Sequence, residues 1–247
     1  MTPPPEPAKR SSAFGTTHWS VVLMARCDDT PGGRAALGSL CQTYWYPLYA
    51  YIRRRGHSSH DAQDLTQAFF AQLLERQSLA AVHRERGRFR AFLLTSLNHF
   101  LANEREKART QRRGGGCQIV SLDWAAAENR FDLEPADQST PGNFFERQWA
   151  LTLLSEVLDH LEAEYQEEGK SELFTALKQT LAGTRETPPY DQLAACLNLN
   201  EGTIKTAVHR LRHRYRDLIR AEIAKTLDRP QDIEDELRHL FNALTKK

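Results

Sequence analysis

The chain has 247 residues, and its 33 lysines and arginines nearly balance its 32 aspartates and glutamates. A hydrophobic content of 40% is enough for packed cores, in one large domain or in two of ordinary size. The Pro-rich start lacks the apolar segment of a signal peptide, and no apolar run approaches the roughly 20 residues of a membrane span. We therefore expect a cytoplasmic protein that does not bind a membrane.

Composition also argues against metal and enzyme chemistry. The four cysteines show no Cys-x-x-Cys spacing, and no set of histidines completes a zinc pattern. Neither a P-loop nor a Gly-x-Ser-x-Gly motif is present, and the acidic residues do not cluster as metal ligands do. The sequence therefore predicts reduced thiols, no metal, no cofactor and no catalytic residues.

Apolar residues recur with helical spacing along the chain, and strand-type alternation is nearly absent, which predicts an all-α protein. A first block covers 17–112, after a disordered lead over 1–16. Pro47 interrupts or restarts its first helix, Gly56 suits the end of that helix, and Ser58 and Ser59 cap the next. The helices predicted in this block are 34–55, 60–76 and 89–109.

A change of composition separates two helical blocks. Residues 113–143 contain a Gly triplet, Pro135, Pro141 and many acids, which predicts a flexible acidic linker with a short turn near Trp124. The second block, 144–225, begins with helices over 144–165 and 171–181. An amphipathic helix is predicted in the tail, 226–247. The expected fold is therefore two helical domains joined by a flexible linker.

Within the second block, residues 190–216 form two predicted helices with a short Asn-rich turn between them. Ile204, Val208, Leu211 and Tyr215 make one apolar stripe, and Asn200 stands where an N-cap belongs. This layout is that of a DNA-binding helix-turn-helix, whose second helix enters the major groove. The alternative is a solvated basic face. The candidate DNA contacts are Thr203, Lys205, Thr206, His209, Arg210 and Arg212.

A second basic region, 84–113, combines arginines with aromatic and amide side chains. Such a set can hold a phosphate backbone and stack on unpaired bases. Taken singly, each aromatic residue is better explained as core, so the prediction concerns the region as a whole. Its candidate contacts are Arg88, Phe89, Arg90, Phe92, Asn98, His99, Asn103, Arg105 and Arg109.

Three motifs in order resemble those of the bacterial extracytoplasmic-function sigma factors. The segment Asp61-Ala-Gln-Asp-Leu-Thr-Gln-Ala-Phe-Phe-Ala-Gln-Leu-Leu-Glu75 is similar to the family's core-polymerase-binding helix. Phe89-Arg-Ala-Phe-Leu-Leu94 resembles the start of its promoter-melting helix. Leu199-Asn-Glu-Gly-Thr-Ile-Lys-Thr-Ala-Val-His-Arg-Leu-Arg212 resembles its recognition helix. Together the motifs lie within 30–225 and follow the family's order.

The resemblance implies a role for each part of the chain. The first block would be a sigma region 2-like domain that opens the minus-ten element, and the second a region 4-like domain that binds the minus-thirty-five element. The implied partners are promoter DNA, double-stranded and locally single-stranded, and the clamp helices of RNA polymerase core; an anti-sigma factor is left open. The residues implied to bind polymerase are Asp61, Asp64, Gln67, Phe70, Gln72 and Glu75.

The resemblance also implies that the acidic linker threads toward the polymerase active-site channel. Without the resemblance to this family, the polar face of 61–76 would be interpreted as a solvated surface. The main alternative function is a helix-turn-helix regulator that binds duplex DNA without being a polymerase subunit. That alternative accounts for 190–220 but not for the motif at 61–75.

Overall fold

The computed structural model describes residues 31–74, 88–110, 123–134, 140–181, 188–227 and 230–245. All regular elements in these ranges are helical, which confirms the predicted all-α class for this part of the chain. Two short 3-10 segments, Lys178–Leu181 and Pro230–Asp232, accompany the α-helices. The lead over 1–16 lies outside the described ranges. The α-helices are α1 (Pro31–Arg54), α2 (Ser59–Leu74), α3 (Phe89–Thr110), α4 (Trp124–Leu133), α5 (Pro141–Glu167), α6 (Ser171–Leu177), α7 (Tyr190–Leu197), α8 (Glu201–Thr226) and α9 (Ile233–Thr245).

Helix α1 forms the centre of the structure. It runs unbroken through Pro47, although proline cannot donate to the helical hydrogen-bond ladder. Gly56, at φ +88°, follows its end in the left-handed region, as predicted. Residues 43–52 are buried except for the half-buried Trp45, so this stretch of α1 is covered on all sides. Aromatic contacts tie it to three neighbours, with centroid separations of 5.4 Å for Tyr44–Phe89, 5.4 Å for Trp45–Trp124 and 6.3 Å for Tyr51–Phe145.

Helix α5 joins the two halves of the chain. It lies antiparallel to α1, because Thr43 donates to Glu156 at 3.2 Å while Arg54 lies over the ring of Phe144 at 4.5 Å. Along other faces α5 packs against α6, α8 and α9. The buried residues of both halves belong to a single hydrophobic cluster. The boundary predicted between two domains therefore falls inside a shared core.

Residues 123–134, predicted as part of a flexible linker, form helix α4 docked on α1. Asp123 caps this helix by accepting a hydrogen bond from the Ala126 amide at 2.9 Å. Glu128 accepts hydrogen bonds from Tyr49 and from Arg53, the latter at 2.6 Å. Asp123 and Glu128 thus have partners within the fold, which composition alone did not indicate. The rest of the predicted linker up to 139 lies outside the described residues.

Helix α9 confirms the amphipathic helix predicted in the tail. Its buried side chains, Leu237, Leu240 and Ala243, face α5 and α8. No helix in the described ranges is both long enough and apolar enough to cross a membrane.

Glu156 provides a pH-dependent test of the α1–α5 contact. Burial raises the pKa of its carboxyl to about 7 from the usual 4.5, although the hydrogen bond from Thr43 opposes the change. The folded state therefore holds a proton that the unfolded chain loses, and stability falls as the pH rises from 4.5 to 7. We expect Glu156→Gln to raise the free energy of unfolding by on the order of 2 kcal/mol at about pH 8.

Urea denaturation at about pH 8 and about pH 4.5 measures this effect. The gain should be small at the lower pH, where the wild-type carboxyl is protonated in the folded state and about half protonated in the unfolded chain. Glu167→Gln, an exposed change at the end of the same helix, is the matched control and should leave stability unchanged at both values. An equal gain at both pH values would contradict the assigned cause.

Candidate nucleic-acid interface

The turn between α7 and α8 has the local chemistry of a helix-turn-helix. Asn198 ends α7 in the left-handed region, at φ 52° and ψ 43°, a conformation that asparagine tolerates better than most residues. The Leu199 amide then donates to the Ala194 carbonyl at 3.0 Å. Asn200 accepts hydrogen bonds from the Thr203 amide at 2.8 Å and from its hydroxyl at 3.0 Å. The predicted N-cap is therefore confirmed.

One face of α8 is buried, and this determines what the opposite face presents. Ile204, Val208 and Leu211 are buried and Tyr215 is partly buried, as the apolar stripe predicted. Helix α7 contributes Leu193 and Ala194 to the same core. The predicted contact positions are therefore left in solvent. The exposed positions are Thr203, Lys205, Thr206, His209, Arg210 and Arg212.

The N-terminal part of α8 is the accessible part of this face. Lys205 pairs with Glu201 at 2.7 Å, and both side chains are more than half exposed. The hydrogen bond that Lys205 donates to Glu201, together with the charge of that carboxylate, raises the pKa of the Lys205 ammonium, which therefore stays charged. Because exposed pairs of this kind contribute little, the ammonium can exchange Glu201 for a phosphate or a base. Thr206 donates to the Gly202 carbonyl at 3.0 Å.

Further along α8, two arginines hold other helices. Arg212 donates through Nε and Nη2 to the carbonyl of Thr180, at 3.2 and 2.8 Å. Arg214 donates through Nε to Glu164 at 2.8 Å, and this bond helps to hold the pKa of that carboxyl below its usual range. The sequence predicted that Arg212 contacts DNA. In the structure its guanidinium also has an intramolecular role, which that prediction did not include.

The start of α3 differs from the prediction. Phe89 is fully buried against Tyr44, and Arg90 is only 1% exposed. The Arg90 guanidinium pairs with Glu146 and Glu236 and lies 4.2 Å from the Trp149 ring centroid. Neither side chain can reach DNA in this structure, so both assignments are corrected. The reason is that α9, distant in sequence, brings Glu236 onto α3.

The remaining candidates on α3 divide between structural and surface positions. Phe92 is half-buried, at 6.0 Å from the Phe89 ring. Asn98 accepts hydrogen bonds from Tyr51 at 2.8 Å and from Arg55. Arg88 is 36% exposed and lies 2.7 Å from Glu236. The side chain of Arg109 lies outside the described part of the chain. The exposed candidates are His99, Asn103 and Arg105.

The prediction missed two residues that lie beside the exposed positions of α3. Arg55 contacts Asn98, and His57 lies close enough to Arg105 for the two charges to interact. Burial and then the Arg105 charge lower the pKa of His57, against the pull of Asp61. The run of three arginines at 53–55 was a signal in the sequence that could have indicated a basic edge here.

The predicted polymerase-binding side chains lie mostly on the outer face of α2. Asp61 and Asp64 are exposed, and Asp64 pairs with His60 at 3.3 Å. Ser58 caps the start of the helix: its hydroxyl accepts a hydrogen bond from the Asp61 amide at 3.1 Å and donates one to the Asp61 carboxylate at 2.7 Å. Of the other predicted residues, Gln72 is exposed, Gln67 is half-buried and Glu75 lies outside the described residues.

Phe70 corrects one polymerase-binding assignment. It is only 4% exposed and packs with its ring centroid 5.9 Å from that of Phe69, so it belongs to the core. Phe69 in turn contacts Phe100 of α3 at 5.7 Å. The paired phenylalanines therefore hold α2 against α3, which leaves the polar side chains of α2 as its available surface.

The chain matches no protein-family model, no curated protein and no solved structure. Its function must therefore be inferred from the surfaces described above. In the described ranges, no group of three or more His, Cys, Asp or Glu side chains is placed to hold a metal ion.

The N-cap of α8 can be tested by substitution. Asn200→Ala removes the acceptor for the Thr203 amide, and we expect the free energy of unfolding to fall by about 1 kcal/mol. Urea denaturation followed by circular dichroism measures the change. Asn242→Ala, the same substitution at an exposed position in α9, should have little effect. An equal loss in both variants would show that the cap does not stabilise the turn.

Proposed function

We propose that this chain is a sigma factor of the extracytoplasmic-function type, which directs RNA polymerase core to promoters in the cytoplasm. The polymerase part of the proposal rests on the resemblance of 61–75 to a polymerase-binding helix, and the observation that carries the DNA-binding part is the helix-turn-helix. Its second helix has a capped start, a buried apolar stripe and an exposed basic face. That combination suits insertion into the major groove, where residues near the helix start approach base edges.

In this proposal the first turns of α8 contact the minus-thirty-five element. Lys205 and Arg210 pair with guanine or phosphate oxygens, and Thr203, Thr206 and His209 contact neighbouring bases or phosphates. The amides of the first turn add a favourable site for a phosphate. Arg212 is assigned mainly to holding the motif in place, because its guanidinium already binds the Thr180 carbonyl.

The proposed polymerase contact is the exposed polar face of α2. Asp61, Asp64 and Gln72 offer acceptors for the basic side chains of a partner helix. The proposed minus-ten contact is the surface of His99, Asn103 and Arg105 with the adjoining Arg55 and His57. Opening the DNA costs a few kcal/mol for each extruded base, which contacts to the single strand and polymerase would offset. No cofactor is needed for either step.

A second candidate is a helix-turn-helix regulator that binds duplex DNA without polymerase. The burial of Phe70, Phe89 and Arg90 favours the regulator. Because these three side chains lie in the core, they are not available for the contacts that the sequence predicted with polymerase and the minus-ten element. The helix-turn-helix serves both functions equally. Run-off transcription separates them: purified protein is added to core RNA polymerase, and promoter-specific transcripts are sought. Duplex binding without polymerase binding or transcripts would favour the regulator.

Substitutions on α8 test the DNA contact. We expect Lys205→Ala and Arg210→Ala each to weaken promoter binding by about 5- to 100-fold, the usual cost of one base-pairing side chain. Binding to core polymerase should not change. Fluorescence anisotropy with labelled duplex measures the first, and pull-down on core polymerase the second. Arg238→Ala, an exposed arginine on α9, is the control and should leave DNA affinity unchanged.

A charge reversal on α2 tests the polymerase contact. We expect Asp64→Lys to weaken binding to core polymerase by about 10-fold or more, because it places like charges together at the proposed interface. Duplex binding by the isolated protein should be retained. Glu172→Lys, an equal reversal at an exposed position of α6, is the control. If both reversals weaken polymerase binding equally, the effect is one of overall charge and α2 is not the contact.

A further inference from the structure

We infer that the ion cluster of Arg88, Arg90, Glu146 and Glu236 fixes the separation between the two proposed DNA-binding surfaces, with Glu236 as its positioning residue. This inference rests on the proposed function. It adds that α9 determines which spacer length between the two promoter elements the protein accepts.

The centre of the cluster is buried, and its four members balance in charge. Glu236 is 0% exposed and Arg90 is 1% exposed, and they pair directly. The other carboxylate, Glu146, pairs with Arg90 Nε, and the other guanidinium, Arg88, lies 2.7 Å from Glu236. Two positive groups thus face two negative ones. Removing one member would leave a buried charge without compensation, so the geometry of the cluster is restrictive even where its net stabilisation is small.

The cluster connects helices that carry the two surfaces. Arg88 directly precedes α3 and Arg90 lies in its first turn, Glu146 belongs to the start of α5 and Glu236 to α9. Helix α9 is also tied to α8, because Glu234 pairs with Arg220. Its buried Leu237 and Leu240 add apolar contacts. Through α9, therefore, the recognition helix and the proposed minus-ten helix are attached to each other.

Helix α5 sets the distance between the recognition helix, α8, and the ion cluster at the start of α3. It runs antiparallel to α8, because Glu164 pairs with Arg214 while Glu156 lies near Glu222 and Lys225. The cluster is at one end of α5, and the basic start of α8 extends beyond the other end. The helical rise is about 27 Å from Glu146 to Glu164 and about 14 Å from Arg214 back to Lys205.

Together these rises place the start of α8 about 40 Å from the cluster along α5, which is roughly the length of 12 base pairs at about 3.4 Å each. The proposed minus-ten surface lies at the cluster end of α5, because Asn98 bonds Tyr51, which packs on Phe145. A protein that binds DNA through two rigidly connected surfaces selects the spacing of their sites geometrically. Two modules on a flexible tether would tolerate several spacings. The cluster therefore acts as a brace that makes one spacing preferred.

Spacer-length preference is the measurement that tests the brace. Full-length protein with core polymerase first selects a preferred sequence from DNA randomised at both elements. Its affinity is then measured for that sequence with spacers of about 10 to 20 base pairs. We expect a narrow optimum for the wild type. For Glu236→Gln, the ratio of affinities between the best spacer and one two base pairs longer should fall by about 10-fold, a usual size for coupling between sites.

A control variant and a second test variant distinguish an effect on the spacing of the two surfaces from an effect on folding. Asp235→Asn, the neighbouring exposed acid of α9, should keep the wild-type profile. If Glu236→Gln fails to fold in a thermal melt, Arg88→Gln removes the half-exposed partner of Glu236 and should broaden the profile to a smaller extent. A merely structural role would lower affinity at all spacers by the same factor.

The outcomes are distinct. If the wild type selects no DNA with or without polymerase, the proposed function fails. If it selects DNA with a sharp spacer optimum and the folded Glu236→Gln or Arg88→Gln protein keeps that optimum unchanged, the brace is overturned while the proposed function stands. A wild type that binds all spacers equally would also overturn the brace.

Discussion

The rest of the structure depends on the burial of residues 43–52 of helix α1. Its residues from Thr43 to Ile52 place tyrosines and aliphatic side chains on consecutive positions, so that no face of this stretch remains for water. Helices α2, α3, α4 and α5 must cover it, and their own apolar stripes are thereby oriented. Burial of several large aromatic side chains contributes a few kcal/mol each, which is enough to determine the packing of a chain of this size. The polar faces of the surrounding helices are then left at the surface, where the candidate contact residues lie.

The second half of the chain is attached through α5. One side of this helix contacts α1, and the others contact α6, α8 and α9. A rigid helix shared by both halves has a functional consequence, because it relates the position of the helix-turn-helix to that of α3. The buried Arg90 strengthens this relation, since its charge requires carboxylates from both α5 and α9. An apolar residue at the same position would have packed without specifying the partner helix.

The candidate interface illustrates how far sequence reasoning reaches. For α8, periodicity and an N-cap were sufficient to predict which side chains are exposed. All six predicted positions are exposed, because burial of Ile204 and Val208 determines the orientation of the whole helix. For α3, the same reasoning gave mixed results. Asn103 and Arg105 are exposed, whereas Arg90 is buried. A basic residue beside aromatic ones is equally compatible with a nucleic-acid surface and with a buried ion pair, and only the position of the partner helix decides between them.

Local interactions explain what the sequence by itself determined. Helical class, most helix bounds, the Gly56 and Asn200 caps and the amphipathic tail all follow from contacts within about four residues. The tertiary structure alone decided which charges are paired. Glu128 binds Arg53 across 75 positions, and Arg90 meets Glu146 across 56. It also decided that the acidic segment after Asp123 forms a docked helix. Such pairings depend on which helix faces come together, and that is a property of the packed core rather than of any local pattern.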